Sequence, residues 1–293
     1  MSEDQKLYSI YDISHYESDL PEQQGTKAKF WYINDQNKEF LFKSVKSRTG
    51  DRLGDDWAEK ISCELAELLG VPHPYYELAL HKGIRGVITE NFISQRGEYL
   101  TAGNELLQEY LVDPSEMNPN IQYIEHVHKV MCEMILGKPI GFGSFSNIKT
   151  ASDFFVGYLM FDALISNQDR HNENWGMIVT LKGTNHLAPS YDHGAGLARN
   201  ESDEIRAMRL SSKDRGQQIS TYAKKAKSQF LDPKSQKRLK LLEAFRQYGL
   251  IEKGAARAWL DQLRHIDVDT IKLIIDRVPC ERMSLVAKAF TYQ

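Results

Sequence analysis

Residues 154–166 are apolar at almost every position, so a helix formed by this stretch has no polar face to offer to water. A helix that is hydrophobic nearly all round is buried on all sides. We expect Ser152 or Asp153 to cap its first turn. The polar stretch NQDRHNEN, at 167–174, follows without a break. The sequence therefore predicts a polar loop that is anchored on a rigid core helix, as positioned functional groups require.

Three side chains in and after this loop are of the types that phosphoryl transfer uses. Asp169 is a carboxylate that can accept the proton of an attacking hydroxyl, and Asn174, five positions later, offers a neutral oxygen. Asp192 supplies a second carboxylate. Protein kinases space their catalytic Asp and metal-binding Asn in the same way, with a second metal-binding Asp further on. Asp and Asn also dominate ordinary turns, so the pattern depends on support from the rest of the chain.

An expected hairpin near the start of the chain gives that support. The runs 25–33 and 39–43 are rich in aromatic residues and are joined by Asn and Asp, which predicts two paired strands. Gly25 would let backbone N–H groups approach a polyphosphate closely. Lys43 ends the second strand, where protein kinases place the lysine that holds the α- and β-phosphates. The alternative is an edge hairpin with a solvated lysine.

A helix is predicted over 57–69, with apolar residues at helical spacing and Gly70 as its stop. We expect Asp55 and Asp56 to cap it. Glu59 is placed to reach back towards Lys43, as the lysine-positioning glutamate of a kinase does. Glu64 is the competing candidate for that role.

The runs 75–80 and 86–92 predict a second pair of strands, after which the chain leaves the first lobe. We expect the exposed backbone near Glu90 to Ser94 to hydrogen-bond an adenine ring, with Glu90 and Phe92 as the binding residues. Residues 94–97 are the predicted boundary, which gives an N-lobe over 1–94 and a C-lobe over 95–293. Residues 1–24 are interpreted as an irregular surface lead-in.

The second lobe is predicted to be mostly helical. His128 and Cys132 stand at i, i+4, formally a metal-ligand spacing, but no other Cys or His pair complements them, so the sequence does not favour a metal there. Residues 200–228 are polar and predict a solvated loop or, in a kinase, an activation segment. Residues 235–293 predict three amphipathic helices without a motif. The candidate phosphorylation sites of the 200–228 segment are Ser202, Ser211, Ser212, Ser220 and Thr221.

Bulk composition argues against several classes of function. The net charge of −3 disfavours a direct nucleic-acid surface. The three cysteines are scattered and odd in number, which is typical of a reducing compartment. No apolar run approaches the length of a membrane span, and the N-terminus is too polar for a signal peptide. We therefore expect a cytoplasmic protein that binds neither membrane nor nucleic acid directly.

These motifs resemble those of the HipA-like bacterial serine/threonine kinases, which carry N-x-D-R-H-x-x-N and then L-A-P-x-[YF]-D. Here the two motifs occupy 167–174 and 187–192. The likeness extends forward to GTKAKF at 25–30, LFK at 41–43 and LAELLG at 65–70, with Glu59 ahead of the last. It thus spans most of residues 25–200.

The resemblance implies an α+β, two-lobed protein-kinase-like and phosphatidylinositol-kinase-like fold, with a small β-rich N-lobe containing one helix and a mostly helical C-lobe. It implies ATP and Mg²⁺ as cofactors, Asp169 as the base, Asn174 and Asp192 as metal ligands, and Lys43, oriented by Glu59, as the phosphate clamp. The cofactor-binding residues expected on these grounds are Gly25, Thr26, Lys27, Lys29, Lys43, Glu90, Phe92, Asn174 and Asp192.

The resemblance also implies a protein substrate carrying Ser or Thr, with an antitoxin or other regulatory partner left open. Few residues precede the hairpin, so we expect the additional N-terminal segment of full-length toxin kinases to be missing. Two other functions remain open from the residues alone. One is a small-molecule or lipid kinase of the same superfamily, and the other is a catalytically dead nucleotide-binding or partner-binding module.

Overall fold

The structure of the chain is a computed structural model that describes residues 6–17, 20–21, 27–47, 54–93, 97–111 and 121–293. It has two lobes, one built on a sheet and one built mostly of helices. The expected boundary at 94 falls on residues outside the described ranges, so its position stays a prediction.

The sheet-rich lobe contains six strands in the order β1-β5-β6-β4-β3-β2. Among its described strands the pairs are antiparallel except for β1, which pairs in parallel with β5. The predicted hairpin corresponds to β3 and β4, and the second predicted pair to β5 and β6. The strand bounds are β1 Ile10–Asp12, β2 Leu20–Pro21, β3 Lys27–Ile33, β4 Glu39–Ser47, β5 Tyr76–His81 and β6 Ile84–Glu90.

One helix, α1 (Asp55–Leu69), packs against this sheet. Its apolar residues recur at helical spacing, and Gly70 ends it in the left-handed conformation, with a φ of 71°. The expected capping by Asp55 and Asp56 is wrong. Gly54 occupies the N-cap position without a side-chain cap, and Asp55 and Asp56 lie in the first turn, where buried arginines bind them. Sequence pattern cannot separate these roles, because Asp suits both a cap and the first turn.

The second lobe is organised around α4 (Ala151–Ile165), whose residues are nearly all buried. Thr150 is its N-cap, and Asp153 is the third-position partner of a capping box, so neither Ser152 nor Asp153 is the cap that was expected. The remaining elements of this lobe are β7 Tyr99–Ala102, α2 Gly103–Tyr110, α3 Ile124–Glu133, β8 Gly176–Val179, β9 Asn185–Leu187, α5 Asp203–Ser211, α6 Ile219–Lys225, β10 Lys227–Leu231, β11 Arg238–Lys240, α7 Leu241–Ile251, α8 Lys253–Arg264, α9 Val268–Asp276 and α10 Leu285–Tyr292.

Helices α3, α7 and α8 surround α4, because a helix that is apolar nearly all round needs neighbours on every side. Trp259 of α8 lies directly against Gly157 of α4 and donates its indole N–H to the carbonyl of Asp153, 2.8 Å away. The loop that follows α4 is therefore attached to a closely packed core.

The antiparallel pair β8–β9 fixes where the two sequence motifs meet. Strand β8 begins just after Asn174, and β9 ends just before the segment that leads to Asp192. Because Met177 lies opposite Leu187 in the antiparallel register, the start of β8 and the end of β9 stand side by side. The polar loop and the Asp192 segment therefore leave the sheet at the same end.

Three further expectations were wrong. The lead-in is not all irregular, since Ile10–Asp12 forms β1 and the side chains of Tyr8 and Ile13 are buried. The 200–228 segment contains two short helices, α5 and α6, and the C-terminal part has four helices where three were expected. Such short elements hold too few turns for periodicity to reveal them.

Within the described ranges, no helix has the length and apolarity that crossing a membrane requires.

Candidate active site

Lys43 lies where the two lobes meet and joins one carboxylate from each of them. Its Nζ is 2.9 Å from Glu59 Oε1 on α1 and 3.0 Å from Asp192 Oδ1 of the second lobe. Lys43 and Glu59 are both buried. The competing candidate, Glu64, instead pairs with Lys60 at 2.7 Å.

Burial opposes the positive charge of Lys43, but the carboxylates of Asp192 and Glu59 outweigh it and raise the Lys43 pKa well above its ordinary value. The ammonium is therefore charged at any physiological pH. The Tyr76 ring, whose centroid lies 5.4 Å from Nζ, adds a cation–π contact. The site thus holds a fixed positive charge next to a partly exposed carboxylate.

Glu59 is tied to the segment after Asp192 by its second oxygen. The backbone N–H of His193 donates to Glu59 Oε2 at 2.9 Å. Asp192 itself has a φ of 60°, in the left-handed region that non-glycine residues rarely adopt. A Cβ at Gly194 would lie 3.2 Å from Glu59 Cγ, so only glycine fits there without displacing that side chain. Helix α1 and the turn at 192–194 therefore pack closely against each other.

The polar loop presents Asp169 to solvent and holds Asn174 against its own backbone. The side chain of Asp169 is 48% exposed, whereas Asn174 is buried. Asn174 Nδ2 donates to the carbonyl oxygen of Asp169 at 2.7 Å. Because that bond uses the amide nitrogen, the oxygen is the atom that Asn174 can offer to a ligand. The backbone N–H of Asp169 donates in turn to Asn167 Oδ1 at 3.2 Å.

Arg170 connects this loop to α4 and to the Asp192 segment, and its side chain is fully buried. It forms two bonds of 2.8 Å to the carboxylate of Asp162 on α4. It also donates to the carbonyl oxygen of Asn174 at 2.9 Å and to Ser190 Oγ at 2.7 Å. Burial alone would lower the Arg170 pKa, but Asp162 raises it above the ordinary value. The planar guanidinium group has five N–H donors and can hydrogen-bond all these acceptors at once, which the single ammonium of a lysine cannot do.

The donor set of Asn174 and Asp192 fits a hard divalent cation. The two residues offer an amide oxygen and a carboxylate whose side chain is 30% exposed, even with Lys43 beside it. Mg²⁺ prefers a few such oxygens and keeps its other positions for water and phosphate.

Only some of the residues predicted to contact the nucleotide lie near Lys43 and Asp192 in the described part of the chain. Phe92 stacks on Tyr191, with ring centroids 5.7 Å apart, which puts it next to Asp192. Lys29 lies opposite Lys43 in the β3–β4 register, so both side chains project from the same face of the sheet. The side chain of Glu90 is turned to the surface, where it pairs with Lys38 at 2.9 Å. Gly25 and Thr26 lie outside the described residues, and Lys27 is described only as backbone.

Comparison with known protein families agrees with this architecture. The HipA-like C-terminal domain family matches residues 22–264, which is more than half of the chain. The chain belongs to this family. No curated protein matches the sequence of this HipA-like chain.

Two solved structures share the fold of the HipA-like chain. The Helicobacter pylori proinflammatory kinase CtkA superposes with a TM-score of 0.76 at 20% identity, over 97% of this chain and 92% of that one. HipA of the Shewanella oneidensis MR-1 toxin–antitoxin system, solved with HipB and operator DNA, gives a TM-score of 0.56 at 12% identity. That match covers 97% of this chain and 66% of the Shewanella protein. At these identities the likeness establishes the two-lobed fold.

Sequence reasoning missed the buried ion pair that supports the HipA-like loop. Asp162 is the single charged residue within the apolar stretch 154–166, and an isolated charge in a buried helix signals a buried partner. It also missed Gln122, whose side chain donates to the carbonyl oxygen of Arg170 at 2.5 Å and accepts from Trp175 Nε1 at 3.0 Å. No signal in the sequence connects Gln122 with a loop 48 positions away.

Proposed function

We propose that this chain is a HipA-like serine/threonine protein kinase that transfers the γ-phosphoryl group of ATP to a protein hydroxyl. The observation that carries the proposal is the contact of Lys43 with both Glu59 and Asp192. A phosphate-clamping lysine, its orienting glutamate and a metal-binding aspartate are the parts that protein kinases must bring together for transfer. The proposal rests on this contact together with the family and the fold.

In the proposed reaction the substrate hydroxyl oxygen attacks the γ-phosphorus while the bond from that phosphorus to the β,γ-bridging oxygen breaks. ADP leaves with the electron pair of the broken bond. Asp169 accepts the hydroxyl proton, and its exposed carboxylate is accessible to an incoming side chain. Base assistance of this kind contributes about 10²–10⁴-fold in rate.

The remaining parts are assigned by position. Lys43 holds the α- and β-phosphates, and Glu59 keeps its ammonium in place. Lys29, on the same face of the sheet, and the backbone from Gly25 to Lys27 are proposed to contact phosphate. Phe92 and the backbone at Glu90 are proposed to contact the adenine.

Asn174 and Asp192 would hold Mg²⁺. When bound, Mg²⁺ neutralises charge on the β- and γ-phosphate oxygens. The chain's own contribution is to fix the two oxygen donors, Asn174 through its bond to the Asp169 carbonyl and Asp192 through Lys43. A regulatory protein partner stays a prediction from the sequence.

Mass spectrometry of the purified chain after incubation with ATP and Mg²⁺ tests the proposal. We expect phosphoserine or phosphothreonine on the wild type, and a rate at least about 10²-fold lower in Asp169→Asn, which removes the base. ATP binding, followed by the shift in melting temperature, should be retained in that variant. Glu173→Gln is the matched control, because it changes an exposed carboxylate in the same loop.

Three other outcomes would each contradict a different part of the proposed function. Equal rates in wild type and Asp169→Asn would remove Asp169 as the base. ATP consumption that needs an added metabolite or lipid and leaves the protein unmodified would identify a small-molecule or lipid kinase. Absence of ATP turnover with any acceptor, despite ATP binding, would identify a nucleotide-binding module.

A further inference from the structure

A cluster outside the kinase site brings together three different metal-binding side chains. His128 and Cys132 lie one turn apart on α3, and Glu252 lies at the junction of α7 and α8. One ligand atom from each residue lies within 4.8 Å of the other two. The sequence did not indicate Glu252 as a member of this cluster, because it is 124 positions away from His128.

The two neighbours of the imidazole converge on the same nitrogen. Nε2 of His128 is 2.8 Å from Glu252 Oε1 and 3.6 Å from Cys132 Sγ. In a thiol–imidazole–carboxylate catalytic arrangement, the carboxylate and the nucleophile use different ring nitrogens. Convergence on one nitrogen is instead the geometry of ligands that surround a common point.

The charge around the thiol agrees with this interpretation. Partial burial raises the Cys132 pKa, the Ser152 hydroxyl lowers it, and the carboxylates of Glu252, Glu133 and Asp153 raise it further. Activated nucleophilic cysteines have the opposite shift, because positive neighbours lower their pKa. A divalent cation would reverse the effect and bind the thiolate directly.

The carboxylate is held in place from behind, as a ligand needs to be. Ser152 of α4 donates its hydroxyl to Glu252 Oε1 at 2.8 Å, and the Ser152 and Tyr248 hydroxyls lie 3.0 Å apart. Such supporting hydrogen bonds orient the ligands of metal sites. The cluster therefore lies where α3, α4 and the α7–α8 junction meet.

We propose that His128, Cys132 and Glu252 bind one Zn²⁺ ion, with a fourth position open to solvent. One sulfur, one nitrogen and one oxygen ligand suit this borderline-soft cation better than Mg²⁺ or Ca²⁺. With Zn–S at about 2.3 Å and Zn–N at about 2.0–2.1 Å, a tetrahedral site has a sulfur–nitrogen edge of about 3.6 Å. The observed separation of Cys132 Sγ and His128 Nε2 is 3.6 Å.

Binding requires a local adjustment in which the separation of Cys132 Sγ and the Glu252 carboxylate, within 4.8 Å here, reaches about 3.6 Å. The nitrogen–oxygen edge of such a site is about 3.4 Å, so the hydrogen bond of His128 to Glu252 opens by about 0.6 Å. Cys132 releases its thiol proton, and neutral His128 carries its proton on Nδ1 so that Nε2 can bind the metal. The ion would then fasten α3 to the α7–α8 junction, independently of the proposed phosphoryl transfer.

Cobalt substitution tests the site, because Co²⁺ bound to thiolate gives a charge-transfer band in the near ultraviolet. The purified chain is stripped with a chelator and titrated with Co²⁺ and then with Zn²⁺. We expect the wild type to show the band at one equivalent and to lose it when Zn²⁺ is added. Zn²⁺ affinity, from competition with a chromophoric chelator, should fall at least about tenfold in Glu252→Gln and in Ser152→Ala.

Two cysteine variants separate this site from any other. Cys132→Ser should abolish the band, while Cys280→Ser, at another exposed free cysteine, should retain it. Zn²⁺ should raise the melting temperature of the wild type and of Cys280→Ser but not that of Cys132→Ser. Autophosphorylation in Mg²⁺ alone should be equal in all three, which separates this proposal from the kinase proposal. Absence of the band in the wild type, or its persistence in Cys132→Ser, would overturn the zinc site.

Discussion

Lys43 Nζ lies 3.0 Å from Asp192 Oδ1, although the two residues are 149 positions apart in the chain. This ion pair joins the sheet-rich lobe to the helical lobe at the point where the sequence motifs of both predict nucleotide chemistry. Asp192 keeps a side-chain exposure of 30%, whereas that of Lys43 is only 11%. Asp192 is therefore the solvent-accessible member of the pair, and Glu59 binds Lys43 on the buried side.

Lys43→Met should reduce phosphoryl transfer by about 10²–10³-fold, because it removes a fixed positive charge from the proposed phosphate site. It should also lower the free energy of unfolding by about 3–5 kcal/mol, because Glu59 loses its buried partner. Transfer rates and urea denaturation measure the two effects. Lys38→Met is the control, since Lys38 forms a half-exposed pair with Glu90 and should change little.

The double variant Lys43→Met/Glu59→Gln separates folding from chemistry. It should recover part of the lost stability, because the unpaired buried charge is gone, yet it should remain inactive. Recovery of transfer in this variant would show that Lys43 acts only through folding.

Arg170→Lys should destabilise the chain by about 3–5 kcal/mol, since a lysine cannot bind Asp162, Asn174 and Ser190 at the same time. Denaturant titration measures this change in the free energy of unfolding. Arg264→Lys is the matched control, because its pair with Asp261 is mostly exposed and should contribute less than about 1 kcal/mol. Similar losses in the two variants would contradict a structural role for the buried guanidinium.

Gly194→Ala should slow phosphoryl transfer while leaving a folded protein. The added Cβ would lie 3.3 Å from Glu59 Oε1 and 3.4 Å from the Asp55 carbonyl oxygen, so Glu59 has to shift by a few tenths of an ångström, which disturbs its bond to Lys43. Overpacking of this kind costs about 1–3 kcal/mol. Gly143→Ala, where an added Cβ meets nothing within 4 Å, should keep both rate and melting temperature. An unchanged rate in Gly194→Ala would show that the position of Glu59 is not critical.

Stability should fall as the pH drops below about 6.5, and His73 should account for part of the slope. Burial lowers the pKa of His73 below its ordinary value of 6.5, so the native state stays neutral where the unfolded chain takes up a proton. The unfolded state then binds more protons, and the free energy of unfolding decreases towards acid, by at most about 1.4 kcal/mol per pH unit for one group.

Denaturant titration between pH 5 and 7.5 checks this expectation. His73→Gln should flatten the dependence, because the titrating group is gone, and replacement of the exposed His265 by Gln should leave it as in the wild type. An identical slope in His73→Gln and the wild type would show that other groups carry the pH dependence.

The elements that local pattern determines were predictable from the sequence. The hairpin of β3 and β4, the helix α1 and the buried helix α4 follow from periodicity and composition, which act over a few neighbouring residues. The type and spacing of Asp169, Asn174 and Asp192 identified the loop that the structure places after α4. Short elements such as β1, α5 and α6 were missed, because two turns or three residues give no readable period.

The tertiary structure decided which residues meet. The sequence left Glu59 and Glu64 both open as the partner of Lys43, and only the packing of α1 on the sheet places Glu59 within 2.9 Å of it. The same holds for Arg170 with Asp162 and Ser190, and for Glu252 with His128. Local preferences set each segment's conformation from its own residues, whereas a long-range pair depends on how whole segments pack, and no short window of sequence contains that information.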